Sequence, residues 1–196
     1  MKAEVLVAKS GLIVQGPLLL TPKVFSDGRG FFFESWNEQE FTSILNSFGQ
    51  ASAEFVQDNH SRSSRGVLRG LHFQKNPFAQ SKLLRCVRGE IFDVLVDCRL
   101  GSATFGQSVA VKLSSENFLQ LWVPAGFAHG FLTLSDDAEI LYKTTGYWVR
   151  ESERSLLWND PRLSIPWPID AEPKLSEKDS LGLTLRELSE NGDLYP

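Results

Sequence analysis

The sequence predicts an all-β sandwich or barrel. Short strand-like runs follow one another from residue 53 to about 149, and Gly, Asp, Ser or Pro residues separate them. Two of these separations, at residues 88–90 and 114–117, have the composition of hairpin turns. The 196 residues, 42% of them hydrophobic, suffice for one substantial core. We therefore expect one domain over residues 1–196, with a barrel core at about 53–150.

The part of the chain before this core is predicted to contain a short strand and a helix. The run DGRGFFFE at residues 27–34 reads as a glycine-rich turn that presents Arg29, followed by a strand. Its three consecutive phenylalanines suit a plain edge strand or a strand that lies across a partner subunit. Residues 37–49 have apolar side chains at helical spacing, with Asn37 as the N-cap and Gly49 as the stop.

The run RGVLRGLHFQ at residues 65–74 places Arg69 and His72 in an otherwise apolar strand. A histidine in a strand is more often a hydrogen-bonded core residue than a catalyst, but the flanking glycines raise the chance of a site. Strict alternation directs Arg69 and His72 to opposite faces unless a bulge intervenes, and Gly70 permits one. We therefore expect a local irregularity near Gly70.

Alternation groups polar side chains on other strands of the core. Gln57 and Asn59 share one face of their strand, and Tyr142 and Trp148 share one face of the run 139–149. That second face suits a pocket that stacks a ring, and it equally suits a plain core face. An inward-facing ammonium at Lys82 requires an anion or a carbonyl oxygen, whereas a solvated lysine at a strand start requires neither.

The tail of the chain differs in composition from the core. From Trp158 onward it is rich in proline and tryptophan, which predicts an irregular wrap over the barrel at 158–196 with a short helix near 176–188. Ser176 and Asp179 approximate a capping box at the start of that helix. Capping alone explains both residues. In the alternative interpretation, the carboxylate of Asp179 orients a catalytic histidine.

Composition limits the classes of partner. The net charge of −4 argues against a nucleic-acid or membrane-surface binder that depends on a broad basic field. Binding of a small anionic ligand is still compatible with this charge. Cys86 and Cys98 lack metal-ligand spacing and are expected to be reduced core thiols. No run approaches the roughly 18 apolar residues of a membrane span, so a cytoplasmic location is expected.

The chain resembles the dTDP-4-dehydrorhamnose 3,5-epimerase family in seven runs that cover nearly its whole length. In order they are PKVFSDGRGFFFES, FVQDNHSRSSRGVLRGLHFQ, QSKLLRCVRGEIFDVLVDCR, LWVPAGFAHGFLTLS, EILYKTTGYW, LLWNDP and LSEKD. The resemblance implies a double-stranded β-helix, the jelly roll of cupins, with a few short helices near the termini. It also implies a homodimer that exchanges N-terminal strands, so that a partner chain contributes to each site.

The resemblance implies a reaction as well. The family's substrate is dTDP-4-dehydro-6-deoxy-D-glucose, and carbons 3 and 5 of the sugar are inverted without a cofactor. His72 is then the base, oriented by Asp179, and Tyr142 is the acid on the opposite face. Lys82, helped by Arg69, stabilises the enolate oxygen.

Substrate-binding positions carry over in the same manner. They are Phe25, Arg29, Glu34, Gln57, Asp58, Asn59, Arg69, His129, Trp148, Glu153 and Lys178, with Arg29 and Glu34 supplied by the partner subunit. Trp148 departs from the tyrosine that commonly stacks on thymine in the family, and Tyr147 could compete for the role. Alternation favours Trp148, because it shares a face with Tyr142. We also infer, apart from the resemblance, that Asp93 holds His129.

No catalytic metal is expected. The run PAGFAHGF at 124–131 is similar to the second half of the motif of metal-binding cupins. The first half normally supplies two histidines two residues apart, and here the matching positions are His72 and Gln74. At most two histidine ligands remain, and no carboxylate ligand is evident.

Three other functions stay open at this point. They are inversion at carbon 3 or carbon 5 alone, movement of the ketone from carbon 4 to carbon 3, and noncatalytic binding of a sugar nucleotide. The full set of His72, Asp179, Lys82 and Tyr142 favours inversion at both carbons.

Overall fold

Two antiparallel sheets face each other in the computed structural model, which describes all residues 1–196. The strands are β1 (Lys2–Val7), β2 (Ile13–Thr21), β3 (Phe25–Asp27), β4 (Gly30–Phe32), β5 (Gln57–Ser64), β6 (Leu68–Gln74), β7 (Lys82–Arg88), β8 (Glu90–Asp97), β9 (Ser108–Ser114), β10 (Gln120–Val123), β11 (Phe127–Thr133), β12 (Asp137–Thr144) and β13 (Glu153–Ser155). The helices are α1 (Glu38–Ser47), α2 (Glu177–Ser180) and α3 (Leu185–Glu190), with a 3-10 turn at Arg150–Ser152.

The first sheet has six strands in the order β1-β2-β10-β7-β12-β5, and the second has five in the order β13-β6-β11-β8-β9. This pair of facing sheets confirms the predicted jelly roll. β1 and β2 join the six-stranded sheet, although they precede the stretch that strand spacing identified as the core. β3 and β4 form a separate hairpin. The predicted strand after the glycine-rich turn is confirmed as β4, but it ends at Phe32, before Glu34.

Apolar side chains from both sheets fill the space between them. The largest cluster has 15 buried residues and includes Leu84, Ile91, Leu121 and Phe131. Burial of this much apolar surface is the main force that holds the sheets together. Three members of the cluster, Leu84, Phe131 and Ile140, also line a cavity to which β5, β6, β7 and β12 contribute polar side chains.

Helix α1 forms where its apolar spacing predicted it. The Asn37 side chain accepts a hydrogen bond from the Glu40 backbone N–H at 3.1 Å, and Gly49 has a positive φ of 69° just after the helix. Phe41 and Leu45 are buried against the outer face of the six-stranded sheet. Both predicted ends of the helix are therefore confirmed.

Strand β12 is shorter than the predicted run 139–149, because it ends at Thr144. Residues 145–149 have no regular secondary structure. The single helix expected near residues 176–188 is also wrong, because α2 and α3 are separate. The backbone at Gly182 packs so closely on Leu157 that a Cβ would lie 3.0 Å from the Leu157 backbone, and the Leu183 N–H donates to Ser155. These contacts interrupt the helix.

The tail packs over the outer face of the five-stranded sheet. A cluster of 12 buried residues joins strand residues such as Phe73 and Val94 to Leu163, Leu188 and Tyr195 of the tail. Cys86 and Cys98 are buried free thiols, in agreement with the prediction. None of the helices combines the length and the apolar character that crossing a membrane requires.

Candidate active site

A cavity of about 570 Å³ lies between the two sheets. Side chains from both walls line it, and α2 with the segment before it covers one side. The predicted site residues in its lining are Gln57, Asn59, Arg69, His72, Lys82, His129, Tyr142, Trp148, Glu153, Lys178 and Asp179. Eleven residues that are scattered along the sequence therefore meet in one place.

A bulge in β6 gives the cavity its two basic side chains. In the pairing with β11, His72 lies opposite His129 and Arg69 opposite Phe131, so two residues of β6 face one residue of β11. Gly70 has a φ of 120°, and a Cβ there would lie 2.6 Å from the Gly130 Cα. The predicted irregularity near Gly70 is confirmed, and both side chains face the cavity.

His72 and Asp179 form a hydrogen-bonded pair. The His72 Nε2 atom lies 2.5 Å from Asp179 Oδ1, and Asp179 has only 4% of its side chain exposed. Burial raises the pKa of Asp179, but hydrogen bonds from His72 and Ser176 outweigh that effect and lower the pKa overall. Burial also lowers the pKa of His72, and Asp179 only partly opposes this. The imidazole is therefore neutral near pH 7 and able to accept a proton.

Ser176 holds the second oxygen of Asp179. Its hydroxyl donates to Asp179 Oδ2 at 2.8 Å and accepts the Asp179 backbone N–H at 3.2 Å. The same serine therefore caps α2 and fixes the carboxylate. The two interpretations that the sequence left open, a helix cap and an acid that orients His72, both apply.

Lys82 brings an unpaired cation into the cavity. The residue lines the cavity, and its ammonium has no ion pair or hydrogen bond within the chain. Burial lowers the pKa of Lys82 to about 8, and the negative charges of Glu153 and Asp93 partly oppose this. A charged group in this position is stabilised by an anionic or strongly polar oxygen of a ligand.

Tyr142 lies on the wall opposite His72, because β12 belongs to the six-stranded sheet and β6 to the five-stranded sheet. Burial raises the pKa of the phenol, and the nearby charge of Arg69 partly opposes this. The hydroxyl has no hydrogen-bond partner in the chain and keeps its proton near pH 7. It is therefore available to donate that proton to a ligand.

Hydrogen bonds and ion pairs within the chain fix other side chains of the lining. His129 Nε2 lies 2.9 and 3.0 Å from the two oxygens of the fully buried Asp93, which confirms the inferred pairing. In addition, Gln57 donates to Asn59 at 2.8 Å, Arg69 Nε donates to Ser63 at 2.8 Å and Lys178 donates to Glu153 at 2.9 Å. Burial raises the pKa of Asp93, and the charge of His129 opposes this.

Trp148 lines the cavity and Tyr147 does not. Trp148 is therefore the cavity residue, as alternation suggested. The reason for the prediction is wrong, however, because the strand ends at Thr144 and alternation stops there. The conformation of the irregular segment 145–149 sets the direction of the ring.

Four predicted binding residues lie outside the cavity of the single chain. Phe25 and Arg29 are exposed in the β3–β4 hairpin, where Arg29 pairs with Asp27 at 2.6 Å, and Glu34 follows the hairpin. Asp58 points to the other face of β5, opposite to its neighbours in sequence, and pairs with Lys143 at 3.0 Å.

The cavity lining also contains polar residues that were not predicted as site residues, among them Ser61, Gln80 and Lys174. Ser61 continues the alternation of Gln57 and Asn59, so the pattern could have identified it. Gln80 and Lys174 lie in irregular segments without a pattern. Lys174 reaches the cavity because its backbone pairs with Gly66 and Leu68. No group of three or more His, Cys, Asp or Glu side chains has the arrangement of a metal site.

Comparison with known proteins identifies a single family. A sequence model described as dTDP-4-dehydrorhamnose 3,5-epimerase matches residues 12–187. A dTDP-4-dehydrorhamnose 3,5-epimerase of Pseudomonas aeruginosa is 56% identical over 171 residues, which are 87% of this chain and 92% of that protein. The protein of the same name from Salmonella typhimurium is 57% identical over 163 residues, 83% of this chain and 87% of its own.

A solved structure with a bound sugar nucleotide is also similar. It is a dTDP-6-deoxy-D-glucose-3,5-epimerase of Legionella pneumophila in complex with dTDP-4-keto-L-rhamnose. The superposition has a TM-score of 0.88 at 43% identity and covers 99% of this chain and 98% of that one.

Proposed function

Because the chain belongs to the dTDP-4-dehydrorhamnose 3,5-epimerase family, we propose that it converts dTDP-4-dehydro-6-deoxy-D-glucose into dTDP-4-dehydro-L-rhamnose. One observation in the cavity carries the proposal. A neutral histidine paired with a buried carboxylate lies on one wall, and a protonated tyrosine lies on the other. Inversion of a carbon needs this arrangement, because a proton leaves one face and another arrives on the opposite face.

The chemistry depends on the ketone at carbon 4. The carbonyl acidifies the protons on carbons 3 and 5, and removal of either proton places negative charge on the carbonyl oxygen as an enolate. His72 removes the proton, and Asp179 holds the ring and stabilises the imidazolium that forms. The unpaired ammonium of Lys82, helped by Arg69 of the same cavity, stabilises the enolate oxygen.

Tyr142 completes the inversion at carbon 5. Its phenol gives a proton to the enolate from the wall opposite His72, so the new C–H bond has the reverse configuration. The raised pKa of the phenol keeps the proton in place until negative charge develops on the substrate.

The nucleotide half of the substrate occupies the remainder of the cavity. Trp148 offers a flat aromatic surface for the thymine ring. Gln57, Asn59, His129, Glu153 and Lys178 supply polar contacts to the substrate.

A coupled assay tests the reaction. The purified protein is incubated with dTDP-4-dehydro-6-deoxy-D-glucose, NADPH and the reductase that forms dTDP-L-rhamnose. We expect dTDP-L-rhamnose and oxidised NADPH. A protein that binds the nucleotide sugar without forming this product is a binding module or a different isomerase.

Replacement of Tyr142 by phenylalanine should affect the reactions at carbon 3 and carbon 5 differently. We expect solvent exchange at carbon 3 to continue, because His72 and Lys82 remain, while net inversion at carbon 5 falls by at least about 100-fold. NMR of the substrate in deuterated water measures both quantities. Tyr147→Phe is the matched control, because that residue is exposed and lies outside the cavity. Equal loss of exchange and inversion in Tyr142→Phe contradicts a role as acid alone.

We also propose that the chain works as a homodimer in which a partner subunit supplies Phe25, Arg29 and Glu34 to each site. The exposed aromatic side chains of the β3–β4 hairpin support this, because Phe25, Phe31 and Phe32 are each more than half exposed in the single chain. The exposed guanidinium of Arg29 suits the diphosphate of a neighbouring site.

Mixing two inactive variants tests the shared site. We expect His72→Ala and Arg29→Ala to be weakly active alone. When the two are unfolded and refolded together, half of the dimers are mixed and each mixed dimer has one intact site, so about a quarter of the wild-type activity returns. A mixture no more active than its components contradicts the exchange of Arg29 between subunits.

The place of the reaction in the cell is proposed on chemical grounds. The product is the precursor of dTDP-L-rhamnose, which supplies cell-surface polysaccharides such as O-antigen. The free thiols of Cys86 and Cys98 suit a reducing compartment, and we propose the cytoplasm. Activity in the soluble cytosolic fraction of cells that express the chain tests the location.

A further inference from the structure

The Trp148 ring has little support of its own. The residue is 56% exposed, its indole N–H has no hydrogen bond, and no other aromatic ring packs against it. It lies in the irregular segment 145–149, between the end of β12 and the 3-10 turn that begins at Arg150. The position of the ring therefore depends on what holds the backbone of this segment.

Two glutamine side chains hold that backbone. Gln74 Nε2 donates to the Tyr147 carbonyl at 3.1 Å, and Gln74 Oε1 accepts the Val149 N–H at 2.5 Å. These two bonds are made to the residues immediately before and after Trp148. Gln80 Nε2 donates to the carbonyl of Gly146, one residue further back. The backbone on both sides of Trp148 is therefore fixed by side-chain amides.

The amide of Gln74 fits this place in one orientation only. Its second N–H donates to the Phe78 carbonyl at 2.8 Å, so both N–H groups meet carbonyls and the oxygen meets an N–H. A flipped amide would oppose like groups at all three contacts. The residue is 4% exposed, and its own carbonyl accepts a hydrogen bond from the Tyr195 hydroxyl. Gln74 is thus a rigid support.

Gln74 is also placed to couple the two halves of the site. It lies on β6 two residues after His72, and its backbone pairs with Glu153 of β13. In the sequence it occupies the position where a metal-binding cupin supplies its second histidine. Here the amide faces away from the cavity and bonds to the backbone that carries Trp148.

We propose that Gln74 is a positioning residue for the nucleotide: it fixes Trp148 as the surface on which the thymine base stacks. This inference rests on the proposed function, because it takes a dTDP-sugar as the substrate. It assigns Gln74 to base affinity and not to proton transfer. Binding and chemistry should therefore respond differently to its replacement.

The test uses dTDP itself, with affinity measured by calorimetry, and kcat and KM measured in the coupled assay. Gln74→Met keeps the length of the side chain and removes all three hydrogen bonds. We expect the Kd for dTDP and the KM to rise about 10-fold, because the indole loses the fixed position from which it stacks on the base. At saturating substrate kcat should stay within about 2-fold. Gln39→Met, an exposed change on α1, is the matched control.

A double-mutant cycle with Trp148→Ala shows whether Gln74 acts through the tryptophan. We expect Gln74→Met to have little further effect on dTDP affinity once the ring is absent. An equal effect with and without the ring overturns the proposal, and so does wild-type affinity in Trp148→Ala. If Gln74→Met does not fold, Gln74→Glu replaces it in the same cycle, because it keeps the acceptor for the Val149 N–H. The coupled assay of the wild-type protein tests the proposed function separately. If the wild-type protein forms no dTDP-L-rhamnose, the proposed function itself fails, whatever the effect of the Gln74 variants.

Discussion

Replacement of His72 by alanine is expected to lower kcat by about 1,000-fold or more, within the range of general-base catalysis. No other side chain can take its place on that wall. His129 is already bonded to the fully buried Asp93, and the guanidinium of Arg69 has hydrogen-bond donors but no acceptor. Because one base serves both carbons, deuterium exchange at carbons 3 and 5 should fall together. The coupled assay and NMR in deuterated water measure the two effects.

The control for this prediction is His60→Ala. His60 is 55% exposed, pairs with Glu139 at 3.0 Å and does not line the cavity. It should retain wild-type activity. The kcat of Asp179→Asn should lie between those of His72→Ala and His60→Ala. The imidazole stays in place, but the carboxylate charge that stabilises the imidazolium is lost. Exchange near the wild-type rate at either carbon in His72→Ala would remove His72 from the mechanism at that carbon.

Replacement of Lys82 by methionine should cost about 100- to 1,000-fold in kcat, the usual effect of losing one donor to a developing oxyanion. Methionine keeps the length and the apolar stem of the lysine and removes only the charge. Lys112→Met is the control, because Lys112 is exposed and pairs with Glu90 at 2.9 Å. A kcat within a few-fold of wild type in Lys82→Met would show that another group stabilises the enolate.

The same lysine sets an upper pH limit for activity. Burial lowers the pKa of Lys82 to about 8, so the ammonium is charged below that pH and neutral above it. The mechanism needs the charged form, and kcat/KM should therefore fall as the pH rises through about 8. Lys82→Arg should lose this alkaline limb, because a guanidinium stays protonated throughout this range. An unchanged limb in Lys82→Arg would assign it to another group.

The hairpins predicted from the turn residues at 88–90 and 114–117 are wrong, because each turn joins strands of different sheets, β7 to β8 and β9 to β10. Three other local predictions are confirmed. The ends of α1 follow from Asn37 and Gly49, and the bulge in β6 follows from a glycine between two polar residues that must share a face. Ser176 and Asp179 were identified as a cap because capping depends on residues three apart. In each case the interaction that decides the structure lies within a few residues.

Long-range parts of the site could not be read from any pattern. His72 and Asp179 are 107 residues apart, and only the family resemblance paired them. Gln74 reaches Tyr147 across 73 residues, and nothing in either segment indicates that contact. The break between α2 and α3 depends on the fit of Gly182 against Leu157. Packing between distant segments decides all three.

Incorporation of deuterium by the wild-type protein tests the central claim most directly. The protein is incubated with dTDP-4-dehydro-6-deoxy-D-glucose in deuterated water with excess chelator, and the reductase traps the product for NMR. The arrangement of His72 and Tyr142 on opposite walls predicts deuterium at both carbon 3 and carbon 5 of dTDP-L-rhamnose. Deuterium at one carbon only, or none, would contradict inversion at both centres with His72 as the shared base.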